Sequence, residues 1–134
     1  MKKGILIGAG IVALLLLAAV LLMNHQNNQD TSTAETIPKI VVTIEMSASR
    51  PGCEKTGCYL PTNLSVSKHD TVTWINEDRG FHTITTGYYD TPDGMFDSGQ
   101  ISPSERFSYT FEKSGEFHYY CRLHPWMEGK VIVN

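Results

Sequence analysis

The chain is short of basic charge. Eleven Lys and Arg stand against fourteen Asp and Glu, a formal net charge of −3. No basic stripe is available to follow a phosphate backbone, so nucleic acid is not an expected partner. Near the N-terminus there is no twin-arginine pair and no lipid-accepting cysteine, so neither of those export devices is present. Cysteine is scarce too, with three residues in 134, and histidine numbers five. After Pro38 no stretch carries the 3.6-residue apolar period of a helix. No internal repeat is evident.

One long apolar run is present. Gly4 to Met23 holds no charged or strongly polar residue and is long enough to cross a bilayer as a helix. Lys2 and Lys3 precede it, and Asn24-His25-Gln26-Asn27-Asn28 follows. The positive-inside rule puts the N-terminus in the cytoplasm and the rest of the chain outside, at the cell surface or in a periplasm. A cleaved signal peptide is the competing reading. Its apolar region is normally shorter and ends in a small-x-small cleavage site. Here Ala18-Ala19-Val20 lies inside the run and Leu21-Leu22-Met23 continues it, which favours an uncleaved anchor over residues 1–23. Export through a Sec-type route delivers an unfolded chain, so any metal would load outside. Residues 24–37 are polar and have almost no large apolar side chain, as expected of a flexible tether.

Residues 38–134 read as β throughout. Strands are expected at Ile40–Ile44, Leu64–Val66, Thr71–Ile75, Phe81–Thr85, Arg106–Phe111, Gly115–Tyr120 and Lys130–Val133. Turn residues divide them at Asn76–Gly80, Pro92-Asp93-Gly94, Ser98-Gly99 and Lys113–Gly115. About seven short strands in about a hundred residues predict an all-β sandwich. Side-chain alternation places Phe117, Tyr119 and Cys121 on one face, with His118 and Tyr120 on the other. With Phe117 and Tyr119 in the core, Cys121 points inward and His118 and Tyr120 face out. Trp74 shares a face with Val72 and belongs to the core.

The chemistry lies in Tyr120-Cys121-Arg122-Leu123-His124-Pro125-Trp126-Met127. A thiolate, an imidazole and a thioether stand at i, i+3 and i+6. Pro125 keeps the run from being a regular helix and predicts a tight loop between two strands. His82, upstream, is placed to close a site with them. Two imidazoles, one thiolate and one long, weak thioether make the ligand set of a blue-copper electron-transfer centre. Zinc takes four strong ligands without a thioether. Each residue alone has a plainer explanation: a buried thiol, a loop histidine, a core methionine. The combination is what points to one copper ion per chain.

These segments resemble the cupredoxins, in particular the amicyanin, plastocyanin and archaeal plastocyanin-like branches. Cys121-x-x-His124-x-x-Met127 with Gly129–Val133 is similar to the short amicyanin ligand loop and its closing strand. Thr71–Asn76 followed by His82 resembles the family's first-histidine segment, and Gly115–Cys121 its strand to the cysteine. The resemblance implies a Greek-key β-sandwich, with His82, Cys121 and His124 as equatorial ligands and Met127 as the weak axial one. It implies electron exit at the His124 edge, ringed by apolar side chains. Trp126, Pro125 and either Met95 or Phe96 are candidates for that rim, with loop packing as the plainer role for Trp126. Tyr120, facing outward beside Cys121, is either a second path or an ordinary surface-strand tyrosine. Two positions depart from the pattern. Thr83 stands where plastocyanin and amicyanin commonly have Asn, so the tie between ligand loops must differ, with Asn76 nearby as a second contributor. Leu123 stands where Pro is frequent and keeps its N–H. Donation from Leu123 and Thr83 to the Cys121 sulfur would raise the reduction potential. An exposed His124 that leaves Cu(I) on protonation would raise it as pH falls.

Cys53 and Cys58 flank four residues, and outside the cell such a pair is expected to form a disulfide. A second soft-metal site with Met46 or His69 is the alternative. Pairing these two leaves Cys121 free for metal. His25, His69 and His118 have no evident partner. The expected function is a membrane-anchored one-electron carrier between a redox-protein donor and acceptor, not an enzyme. Asp90, Asp93 and Asp97 could steer a basic partner. Competing readings are a copper oxidase or reductase with an additional intersubunit copper site, and a copper storage or delivery protein. A binuclear copper centre needs two cysteines in the ligand loop, and Cys121 is alone there.

Overall fold

The structure is a computed structural model describing residues 40–134. The expected membrane segment, the tether and His25 lie outside the described residues. Among the described residues no helix is long and apolar enough to cross a membrane.

Among the described residues, nine strands form two sheets. They are β1 (Val41–Ile44), β2 (Tyr59–Leu60), β3 (Asn63–Val66), β4 (Thr71–Asn76), β5 (Thr85–Tyr88), β6 (Thr91–Asp97), β7 (Arg106–Thr110), β8 (Gly115–Cys121) and β9 (His124–Val133), with a 3-10 turn at Cys53–Lys55. One sheet has the order β2-β1-β4-β7, the other β3-β9-β8-β5-β6. β1 pairs parallel with β4, and β3 parallel with β9, while the remaining pairs are antiparallel. Two layers closed over one core make the expected β-sandwich.

Strand alternation supplies that core. Val42 and Ile44 of β1, Val72 and Trp74 of β4, and Val131 and Val133 of β9 are buried, each pair spaced by two. Trp74 stands edge-on to Tyr119 at 5.4 Å, and Tyr119 edge-on to Tyr59 at 5.0 Å, which joins the two sheets. Truncating Trp74 to Ala would cost about 3–5 kcal/mol. The Tyr119 ring lies where a Cβ at residue 129 would stand, so β9 needs Gly129 there.

Four sequence expectations change. Phe81–Thr85 is not a strand: His82 makes one isolated bridge to Ile101, and regular pairing begins only at Thr85. The ladder fails because the N–H of Thr83 turns to the Cys121 sulfur and that of Ile84 to the Ser98 hydroxyl. Pro92-Asp93-Gly94 is not the turn but part of β6, an edge strand that tolerates proline. The chain reverses instead between Tyr88 and Thr91, with Asp90 left-handed (φ 59°). β9 begins at His124, six residues before the expected Lys130. β2 and β6 were not expected, because Tyr59-Leu60 is too short to show alternation and β6 is rich in turn formers.

Candidate metal centre

Cys121 ends β8 and His124 opens β9, so the two are joined by a two-residue turn, Arg122-Leu123. This is tighter than the loop expected from the sequence. The register then jumps: Tyr120 pairs with Glu128, but Cys121 pairs with His124. Residues 125–127 are therefore surplus to the ladder and bow away from it. That bow is what allows Met127, within a strand, to be fully buried at the site. His82 arrives from the other side on its bridge to Ile101, with N–H···O distances of 3.2 and 2.8 Å.

The ligand atoms converge. The nitrogens of His82 and His124 and the Cys121 sulfur all lie within 4.8 Å of one another. Cys121 Sγ is 3.5 Å from His124 Nδ1 and 3.9 Å from His82 Nδ1, and the two imidazole centroids are 4.8 Å apart. Nitrogen and sulfur atoms held about 2.0 and 2.3 Å from one metal ion stand about 3.5 Å apart, so these donors fit a single small cation. His82 and Cys121 are buried and His124 is half-buried, leaving one imidazole toward solvent. Burial holds the pKa of His82 below the ordinary histidine value, against the pull of Asp78, and does the same for His124. Both rings are thereby kept in the neutral form a metal needs.

Thr83 provides the tie between ligand segments. Its N–H donates to the Cys121 sulfur at 3.3 Å, and its hydroxyl accepts the N–H of Arg122 at 2.9 Å. Its carbonyl accepts the hydroxyl of buried Tyr59 at 2.8 Å. Burial, then the nearby Cys121, pushes the Tyr59 hydroxyl well above the ordinary tyrosine value, so it stays a donor. The companion expectation fails: among the described residues, Thr83 supplies the backbone N–H on the sulfur, and that of Leu123 does not reach it. The two-residue turn leaves Leu123 49% exposed. Asn76 acts one step further out, donating to the carbonyls of Gly80 and Ile101 at 2.8 and 3.1 Å and accepting the Asp78 N–H at 3.0 Å. It pins both ends of the segment leading to His82.

Several surface expectations are corrected. Tyr120 is on the outer face of its sheet but only 3% exposed, because Tyr89 stands edge-on to it at 5.9 Å. Phe96 does not rim His124; it packs among Trp74, Phe107, Tyr109 and Phe111, with Met95 partly buried against the core. Trp126 does lie beside His124, at 5.3 Å, and its indole N–H donates to the Ala48 carbonyl at 3.0 Å. His69 pairs with Glu112 at 2.8 Å and His118 stacks on Tyr88 at 4.7 Å, so both have partners. Asp97 is engaged by Arg122 at 2.8 Å, an exposed pair of little energetic weight. Cys53 and Cys58 are bonded, S–S 2.01 Å, which takes both sulfurs out of contention as thiolate ligands.

Sequence reasoning missed Asp78, whose carboxylate is 3.0 Å from His82 Nε2. The available signal was a pair of acids four and five residues before the histidine. It could not choose between Glu77 and Asp78.

A two-sheet sandwich with a His-Cys-His-Met cluster at the end of its β8–β9 hairpin defines a copper protein of the single-thiolate class. Residues 54–134 match the model of the copper binding proteins of the plastocyanin/azurin family, and the chain belongs to that family. It is 32% identical over 75 residues to amicyanin from Paracoccus denitrificans, a match covering 56% of this chain and 57% of that protein. It is 32% identical over 87 residues to plastocyanin from Sambucus nigra, covering 57% and 87%. The chain thus spans a little over half the length of the amicyanin it matches. Among solved structures it is similar to a purple cupredoxin from Nitrosopumilus maritimus, with TM-score 0.66, 31% identity and coverage of 71% of this chain and 99% of that one. A Cu(I) amicyanin variant gives TM-score 0.56 at 29% identity, covering 71% and 81%. The cofactor of the family, copper, suits the donor set described above.

Proposed function

We propose that this protein is a one-electron carrier in which His82, Cys121 and His124 hold one copper ion and Met127 supplies the weak axial contact. The convergence of three donor atoms within 4.8 Å, beside a fully buried thioether, carries the assignment. Copper bound there supplies a Cu(II)/Cu(I) couple, since thiolate and thioether favour Cu(I) and imidazole accepts both states. The chain's own residues keep the donors in place. Thr83 fixes the sulfur and the Arg122-Leu123 turn, and the two sheets leave the ligands little room to rearrange.

Electrons are proposed to pass at the half-buried His124 edge, beside Trp126. The residues just before the two histidines, Phe81 and Leu123, are 48% and 49% exposed, and apolar side chains of this kind suit a transient docking face. Tyr120, adjoining Cys121 and covered by Tyr89, offers a second route. The partners are redox proteins, a donor and an acceptor. Residues 1–23 are proposed to anchor the chain in a membrane, with residues 24–37 as tether and the copper domain, residues 38–134, on the extracytoplasmic side. The support is the uninterrupted apolar run after Lys2 and Lys3.

Visible and EPR spectra of the copper-loaded chain, with a voltammogram, test the central claim. An intense thiolate-to-copper band and a reversible one-electron couple are expected. A colourless protein in the presence of cupric salt would refute the assignment, and steady oxidase or reductase turnover would refute the carrier role.

A further inference from the structure

Arg50 and Arg79 are exposed and line one cleft of about 390 Å³ with Met46, Ser47, Ser49 and Asp78. Among the described residues neither guanidinium has an ion-pair or hydrogen-bond partner. The acid in the wall is turned away from them. Asp78 is 4% exposed, and its oxygens accept the backbone N–H groups of Ser47 and Arg79, each at 2.7 Å, and of Ser49 at 2.8 Å. The charge that this cleft presents to solvent is therefore cationic.

An adjoining cleft of about 470 Å³ shares Met46, Ser47 and Arg50 and adds Pro51 and Leu60, with half-buried Glu45 as its acid. The two make one groove, with guanidinium groups in one lobe and apolar side chains in the other. Met46 is 57% exposed and Leu60 37%. Arginine and methionine are both enriched at protein interfaces, and methionine reshapes itself to a partner. Arginine's planar fork takes a carboxylate through two parallel hydrogen bonds.

The groove adjoins the copper edge. Phe81, 48% exposed, follows Arg79 by two residues. In the Ser47–Ser49 turn, the Ala48 carbonyl accepts the Trp126 indole N–H at 3.0 Å, and Trp126 stands 5.3 Å from His124. A chain seated in the groove thus borders the apolar docking face described above.

We propose that the Arg50–Arg79 groove docks an acidic segment of a redox partner, with carboxylates on the two guanidiniums and an apolar residue against Met46 and Leu60. It gives the copper edge a cationic rim. Such a rim selects a partner opposite in charge to the one that exposed Asp90 and Asp93 would steer. The inference rests on the carrier reading above.

The probes are two short peptides, one alternating Glu and Leu, the other Lys and Leu. Each is titrated at low ionic strength into the full copper-loaded chain, reduced so that NMR detects every residue. The Glu/Leu peptide should shift the signals of Met46 to Arg50, Leu60 and Arg79, and added salt should weaken it. Arg50→Gln with Arg79→Gln should lower its affinity about fivefold or more, the loss of two exposed charge pairs. The visible band and midpoint potential should not change. Glu/Leu binding elsewhere or nowhere, equal affinity in the double variant, or binding of the Lys/Leu peptide alone would overturn the proposal. So would the same shifts on raising the chain's own concentration, if Asp90→Asn with Asp93→Asn removed them: the occupant would then be a second copy. A wild-type chain without a thiolate-to-copper band or a reversible couple would be a failure of the carrier reading, visible before any peptide is added.

Discussion

The backbone N–H of Thr83 points at the sulfur of Cys121 across 3.3 Å, while the hydroxyl of the same threonine accepts the N–H of Arg122 at 2.9 Å. One residue thus holds the thiolate and the turn that follows it. Thr83→Val keeps the first bond and loses the second. The part-buried Arg122 N–H would then lose its protein acceptor, at a cost of about 0.5–1.5 kcal/mol. The expected result is a lower Tm with the thiolate-to-copper band retained, checked by calorimetry and visible spectroscopy on one sample.

Cys121→Ser should abolish the intense visible band. The serine hydroxyl does not ionise in the working range and supplies no soft donor. Residual copper bound by the two imidazoles would be pale. Persistence of the original band in this variant would place the chromophore elsewhere.

The metal-free protein should weaken in mild acid. Burial lowers the folded-state pKa of both His82 and His124. Between those lowered values and the unfolded value near 6.5, the unfolded chain binds more protons, so stability falls as pH drops through this window. Below both folded values the penalty is complete and the curve flattens. Urea midpoints of the apo protein between pH 8 and pH 4 would trace it, and His124→Gln should reduce the slope.

In the copper-loaded protein, a proton on His124 competes with Cu(I) and favours the reduced state. The midpoint potential should then rise as pH falls. The lowered pKa of His124 delays that rise to acidic pH. A voltammetric series down to pH 4 would reveal it, and a flat profile would mean that His124 stays bound throughout.

The Cys53–Cys58 bridge lies behind the turn that serves the metal centre: Cys58 is 2% exposed and its sulfur is 3.9 Å from the Trp126 carbonyl. On the chain-entropy model a loop this short contributes about 2 kcal/mol. Replacing both cysteines by serine should lower Tm accordingly. It should also broaden the copper EPR signal, because the Ala48 contact to Trp126 loses its backing. An unaltered EPR signal would show that the bridge serves stability alone.

The sequence by itself determined the kind of chemistry. A lone thiolate, two imidazoles and a thioether at those spacings admit few ions, because ligand softness is a property of the side chains. It also determined the sandwich, since alternation at Val72 and Trp74, and at Phe117, Tyr119 and Cys121, is local and readable. Only the tertiary structure decided what surrounds the metal. Asp78 and the Ser47–Ser49 turn are about thirty residues apart in the chain, Ala48 and Trp126 seventy-eight. Hydrogen bonds between such segments leave no periodic trace, and an acid that will be buried looks the same in sequence as one that will be solvated. The burial of Tyr120 under Tyr89, and the ladder abandoned by Thr83 for a sulfur, were likewise set by what the other strands brought within reach.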